Sequence, residues 1–416
     1  MEQTRRDRSL VELLAHALLG ALKRTTKLLA EPLLAAARRS GRFRLARGAT
    51  SAGQALDRGR RVGNLTGVRL ALSEPARYLA MLETSDPAPK TAPITTEVTI
   101  LDGSKEALVF SSNHVLDQWG RIVLEVALDE EGRPFTFRSL RAAHRPLDEP
   151  RPVVGSVAYL SNTGVHNFGH WLLFLYPLVQ YYREYLGDDP DYYYVGKPIE
   201  SWHYDSLAVL GIEPSRVLTD AVVGDRMLAA IADRAIPCPT SFLDFSTDAL
   251  RRPAVEAERR RRIYISRALR PTRRALLNES ECLEVLERYG FDEYRTETLS
   301  LDEEAELFAG AEMVVALSGA GLANLLLSHA GCVVVELFPR GYSTAWFVEV
   351  SAARELTYAR LYGEPTRTFG LYPNEYHAVI DPRKLDAVLA EAASRLAETR
   401  RPSGAAGGVR SERDAG

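Results

Sequence analysis

Residues 314–339 read VVALSGAGLANLLLSHAGCVVVELFP, and this stretch decides the fold. An apolar run that includes β-branched Val314 and Val315 breaks at Ser318-Gly319-Ala320-Gly321. An apolar segment suited to a helix follows over residues 322–329. A second buried run, residues 332–337, carries one carboxylate, Glu336. Strand, glycine turn, helix and strand make a βαβ unit, whose turn puts backbone amides at a helix N-terminus where they can meet an anion. A carboxylate near the end of the second strand suits a ribose. The expected ligand is of nucleotide type.

The surrounding residues repeat the alternation. Strands are expected at 263–266, 291–296 and 356–360, and helices at 278–289, 301–309 (with Ser300 as its N-cap), 345–353 and 385–399. Such spacing predicts a parallel sheet covered by helices on both faces. Ligands of open parallel sheets bind beyond the carboxyl ends of the strands. There the first strand delivers Arg267, with Arg270, Arg273 and Arg274 in its loop. The central strand delivers residues 318–321, and the next delivers Glu336. Arginine, a glycine turn and a carboxylate together fit a diphosphate joined to a ribose.

A second informative stretch, residues 153–185, reads VVGSVAYLSNTGVHNFGHWLLFLYPLVQYYREY. A strand over 153–160, a turn, and an apolar helix from Asn167 to about residue 185 place His166, Asn167 and His170 at a strand-to-helix junction. A metal site would need a third ligand, and none is spaced to suggest itself. The other readings are a histidine that caps a turn or packs in the core, and one that touches substrate. Further strands are expected at 97–101, 107–110, 121–126 and 192–195, with a short helix at 206–210. Residues 236–253 read as a connection.

With 46% hydrophobic and 26% charged residues, the 416-residue chain is in the soluble globular range, with room for two or three domains. Its three cysteines, Cys238, Cys282 and Cys332, offer neither a disulfide framework nor zinc spacing, which favours a reducing compartment. Residues 1–65 hold 14 Lys/Arg against 5 Asp/Glu, so the rest carries −12 within a total of −3. A basic segment on an acidic body points to an anionic surface as partner of that segment alone, and no nucleic acid is expected. Residues 9–39 have helical apolar spacing, which suits a helix lying on an anionic membrane or docked on the body or a second subunit. No stretch is long and apolar enough to span a bilayer, and a secretory-signal layout is lacking. The expected location is cytoplasmic, with a peripheral membrane contact through residues 1–65.

The domain expectation is a basic N-terminal segment and linker (1–65, its 40–65 part a flexible connection), an acceptor-side domain (66–245) and a nucleotide-sugar domain (246–382). A C-terminal helix (383–400) and a disordered tail (401–416) complete it.

Taken in order, these motifs resemble glycosyltransferase family 61, of the capsular polysaccharide type. The resemblance covers roughly residues 100–380. It rests on an arginine-bearing strand, then Arg274, Asn278 and Glu279, then residues 307–311 (LFAGA), and on the turn Ser318-Gly319-Ala320-Gly321-Leu322-Ala323-Asn324. Val334-Val335-Glu336-Leu337-Phe338-Pro339 and Asn167-Phe168-Gly169-His170-Trp171 complete the set. The family commonly has histidine where this chain has Ser318. The resemblance implies a GT-B fold, two Rossmann-like domains facing across a cleft. It also implies inverting, metal-independent transfer of a sugar from a nucleoside diphosphate, UDP foremost, to a hydroxyl of a polysaccharide or lipid-linked glycan. No cofactor or metal is expected. The donor would be held by Arg267, Arg274, Asn278, Ser318, Gly319, Ala320, Gly321, Leu322, Asn324 and Glu336. His170, and after it His166, would serve as the base, with Asn167 and Trp171 on the acceptor side.

Two other readings compete. A dinucleotide-dependent oxidoreductase would need Gly-x-Gly-x-x-Gly at a first βα turn, which is missing. A pseudo-enzyme or assembly factor that keeps the fold without turnover is suggested by Ser318. Asp189-Pro190-Asp191 matches an Asp-x-Asp metal motif formally and reads as a surface turn.

Overall fold

The computed structural model describes residues 49–124, 148–162, 164–233, 236–251, 261–267, 274–366 and 376–399. The N-terminal helix expected over 9–39, the tail, Arg270 and Arg273 lie outside the described residues. The described chain opens with strand β1 (Ala49–Ser51) and helix α1 (Ala52–Val62), where the sequence leads one to expect a connection. Ser51 caps α1, and Ala55 and Leu56 are fully buried, so this segment belongs to the fold.

Strands β2 (Leu65–Glu74), β3 (Ala80–Met81), β4 (Ile94–Gly103), β5 (Leu108–Ser111), β6 (His114–Asp117), β7 (Ile122–Leu124) and β8 (Arg151–Tyr159) follow. The chain then enters a short helix α2 (Phe168–His170), a π-helical turn (Trp171–Leu175) and α3 (Leu178–Leu186). Next come β9 (Tyr192–Tyr194), α4 (Ser201–Val209), β10 (Val217–Leu218), β11 (Val222–Ala232) and α5 (Thr240–Leu250). Helix α5 replaces the connection expected over 236–253. Pro239 stands at its N-cap, where a proline starts a helix rather than breaking it, and Phe242, Leu243 and Leu250 are buried on one side.

The second half contains β12 (Arg261–Ile265), α6 (Glu279–Arg288), β13 (Asp292–Tyr294), α7 (Leu301–Ala309) and β14 (Ala311–Leu317). A 3-10 helix (Ala320–Leu327), β15 (Val333–Pro339), α8 (Trp346–Ala353), β16 (Thr357–Thr366), β17 (His377–Val379) and α9 (Pro382–Thr399) complete it. Ser300 caps α7 as expected, reciprocated by Glu303 in a capping box.

Two sheets organise these elements. In the second, β13-β12-β14-β15-β16 run parallel in that order, with β17 antiparallel and β3 parallel on β16. In the first, β11-β8-β9-β10 are parallel, and β2, β4, β5, β6 and β7 extend it through antiparallel pairing. The protein is therefore mixed α/β with a parallel core in each sheet. Strand order reverses between β8 and β11 and again between β12 and β14. Such switch points open a crevice beyond the strand ends, which is where ligands bind in open sheets.

One apolar layer joins the sheets. Val98 and Leu228 of the first and Val314 and Val334 of the second share a cluster with Trp171, Leu172, Phe242 and Leu325. The outer face of the second sheet is covered by α6 and α9, and that of the first by α1. Among the described residues no helix is long and apolar enough to cross a membrane.

Residues 75–93 leave the first sheet and strap the second. Leu82 donates its amide to Tyr358, and the Glu391 carboxylate accepts from the amides of Glu83 and Thr84 at 2.7 and 2.8 Å. Arg77 ties the strap down. It donates to Glu74 (3.1 Å), the Cys238 carbonyl (2.9 Å) and Thr240 (2.8 Å), and lies 3.7 Å from buried Glu349. Removing one partner of a buried ion pair leaves an uncompensated charge. Arg77→Ala is expected to cost about 3 kcal/mol in urea unfolding, with part recovered by adding Glu349→Gln.

Candidate active site

Strand β14 ends at Leu317 and delivers Ser318 and Gly319 beside the switch point, while β12 delivers Arg267 on its other flank. Arg267 lies across the turn, its Nη1 donating to the Ser318 carbonyl at 3.2 Å. A Cβ on Gly319 would stand 1.9 Å from that nitrogen, so the glycine is what admits the guanidinium. A Cβ on Gly321 would stand 3.0 Å from the Thr296 hydroxyl. The helix expected over residues 322–329 is present as a 3-10 helix, Ala320–Leu327. Leu322 N bonds Gly319 O at 3.0 Å and Ser328 N bonds Leu325 O at 3.2 Å, the three-residue spacing of that tighter coil. Residues 322–327 are all buried.

Arg274, half-buried, stacks over Tyr342 at 5.2 Å and donates to its hydroxyl at 3.0 Å. Beneath the turn lies a buried polar cluster. Glu336 and Arg360 sit opposite each other on β15 and β16, both at 0% exposure, 3.9 Å apart. Tyr358 donates to Glu336, and the Ser318 hydroxyl lies beside the same carboxylate. Arg360 donates to Tyr358 (3.1 Å), Ser343 (2.8 Å), Tyr362 (3.1 Å) and the Thr344 carbonyl (2.6 Å), and its guanidinium lies 4.2 Å from the Phe338 ring. Burial works against this charge, but Tyr358 and Glu336 more than offset it and hold the guanidinium protonated.

From the first sheet, the loop after β8 carries His166, exposed, and Asn167, which caps α2 by accepting from the His170 amide at 3.2 Å. Helix α2 packs on the 3-10 helix, so that Gly169 faces Ala320 and Trp346. The ring of His170, half-buried, meets that of Trp346 edge-on at 4.7 Å.

The structure thus brings together Arg267, Arg274, Ser318, Gly319, Ala320 and Gly321 with Asn167 and His170. Other expected contacts are redirected inward. Glu336 is fully buried and enclosed by Tyr358, Arg360 and Ser318. Asn278 spends its side-chain amide on both backbone groups of Ile380, at 2.7 and 3.0 Å, and so fastens α6 to the segment before α9. Trp171 is fully buried, its indole N–H donating to Ser206 at 2.8 Å, and presents nothing to an acceptor. Leu322 is core, and Asn324 donates to buried Glu304 at 2.5 Å. The Asp189 and Asp191 carboxylates are taken by Arg183 and Ser156 respectively. Among the described residues no group of three or more metal-ligating side chains occurs.

Four residues escaped the sequence reading. Arg360 could have been found, since an arginine inside an apolar strand next to a glutamate-bearing strand requires a partner. Tyr342 stands in the loop after Pro339 and Trp346 at the start of α8, with no signal to mark them. His203 is fully buried, stacks on Trp202 and holds the Val165 carbonyl at 3.1 Å, fixing the loop that bears His166. Burial pushes its pKa down to about 4, so it stays neutral.

Burial pushes Glu304 up to about 7, with the Asn324 hydrogen bond acting the other way. Its folded value lies above the unfolded 4.5, so the folded state binds the extra proton between those limits. Stability from this group is therefore greatest below that window and falls, by roughly 3 kcal/mol, as pH rises through it. Glu304→Gln keeps an acceptor for Asn324 and should flatten that part of the pH dependence, as read by urea unfolding across the window.

Residues 166–335 match the family model described as Glycosyltransferase 61, from the His166 loop through the glycine turn to β15. No curated protein is a significant match to the chain.

Proposed function

The chain belongs to the glycosyltransferase 61 family through residues 166–335, and we propose that it transfers a sugar from a nucleoside diphosphate, UDP foremost, to a hydroxyl of a glycan acceptor. The observation that carries this reading is the packing of the Asn167–His170 cap on the Gly319–Gly321 turn, each following a strand at the switch point of its own sheet. That contact sets the segment bearing His170 against the glycine turn that Arg267 lies across. The two sheets then play the parts of a GT-B pair, with the donor on the second and the acceptor on the first.

In this reading the acceptor oxygen attacks the anomeric carbon as the bond to the diphosphate breaks, inverting that centre. His170 takes the hydroxyl proton, and the diphosphate leaves with the bonding electron pair. Arg267, Arg274 and the turn amides meet its charge, which is the stabilisation a divalent cation supplies elsewhere. Glu336 and Arg360 support the turn from below. The excess charge of residues 1–65 fits a peripheral contact with the inner face of an anionic membrane, near a polysaccharide or lipid-linked acceptor.

Thermal-shift measurement with uridine, guanosine and adenosine diphosphates and NAD(H), in the presence of a chelator, tests the reading. Uridine diphosphate at a hundredfold excess over its Kd should stabilise the protein by about 2.7 kcal/mol. Arg267→Ala should abolish most of that shift, while His170→Ala should keep it and lose transfer. No response to any diphosphate, or a response to NAD(H) alone, would overturn the reading. Diphosphate binding without transfer from any donor would favour an assembly factor.

A further inference from the structure

The imidazole of His170 sits between three walls. The first is Gly164, where a Cβ would stand 2.9 Å from Nδ1 and 3.1 Å from Cγ and Cε1. Only a residue without a side chain leaves room for the ring there. The second is Phe174, one turn on, whose ring centroid lies 5.9 Å away at 77°. The third is Trp346, at 4.7 Å and 65°, itself packed edge-on against Phe174 at 5.0 Å and 87°. Edge-to-face geometry is the arrangement aromatic quadrupoles prefer, so the three rings hold one another's orientation.

Two walls come from the first sheet's own loop and helix, but Trp346 comes from the second. It opens α8, and its backbone amide donates to the Thr344 hydroxyl at 3.2 Å. The Thr344 carbonyl is in turn held by buried Arg360. The same loop carries Tyr342, on which Arg274 stacks. The stretch 340–346, a loop and the first residue of α8, therefore touches both the diphosphate side and the histidine side of the site.

We propose that Trp346 is a positioning residue for His170, fixing the imidazole's direction across the boundary between the sheets. The proposal rests on the reading of His170 as the proton acceptor. Misplacing a catalytic group by about 1 Å costs about 10²-fold in rate, so the effect should fall on turnover rather than on donor binding.

Three measurements on the full chain test it. With histidine labelled at Cε1, the resonance missing from His170→Asn is that of His170. It should carry a ring-current displacement that Trp346→Leu removes and Trp346→Phe largely keeps. In transfer assays Trp346→Leu should lower kcat about 10²-fold with little change in donor KM, and Trp346→Phe should restore most of it. Gly164→Ala, which pushes on the ring from the opposite side, should show the same kcat-selective loss. Each variant's uridine diphosphate thermal shift should match that of the wild type. An unmoved His170 resonance in Trp346→Leu, or a raised KM at unchanged kcat, would overturn the proposal. Absence of transfer by the wild type with every donor would remove the functional reading instead, leaving the resonance to decide the seat of His170.

Discussion

The guanidinium of Arg360 has no contact with water, and the second half of the protein is built around satisfying it. Taking such a charge out of water costs several kcal/mol unless every donor finds a partner. Its partners come from three places: Glu336 and the face of Phe338 on the neighbouring strand, Tyr358 and Tyr362 on its own strand, and Ser343 and Thr344 in the loop after β15. Its backbone amide also donates to Ser85 in the strap. A loop that would otherwise be held only at its ends is thereby fixed in its middle. The positions of Tyr342 and Trp346, and through them of Arg274 and His170, follow from a charge that no ligand reaches.

Much of this was legible because the second sheet is parallel and buried on both faces. Its strands read as short unbroken apolar runs between turn residues, and the glycine turn between β14 and the 3-10 helix stands out by composition. Arg267 was placed by the rule about strand ends alone. Where the sequence misled, a local pattern was overridden by what lay across from it. Pro237 and Pro239 read as punctuation inside a connection, yet Pro239 heads a helix.

Polar side chains were the harder class. Asn278, Asn324, Glu336 and Trp171 all carry groups suited to a ligand, and each has a hydrogen-bond partner within the protein. Nothing in an amino-acid sequence distinguishes an amide that will clasp a ribose from one that will clasp the backbone of Ile380, because the demand for a partner is the same. His203 shows the converse: a histidine that looked ordinary sets the backbone of the loop bearing a candidate one. The distinction became visible only when partners from distant parts of the chain were in place.

The strap at residues 75–93 has a consequence for how the molecule comes into being. Strand β3 guards the edge of the second sheet by pairing with β16, almost three hundred residues later in synthesis. The N-terminal half must therefore wait, with this segment undocked, until the far strand has emerged and found its sheet. Contacts of such long sequence separation form late and slowly, since the chain between them must first be ordered. Until then the first part of β16's outer edge, ahead of its pairing with β17, is bare, and an unpaired edge is where one chain pairs wrongly with another. The two sheets are separate as architecture and a single unit as a folding problem.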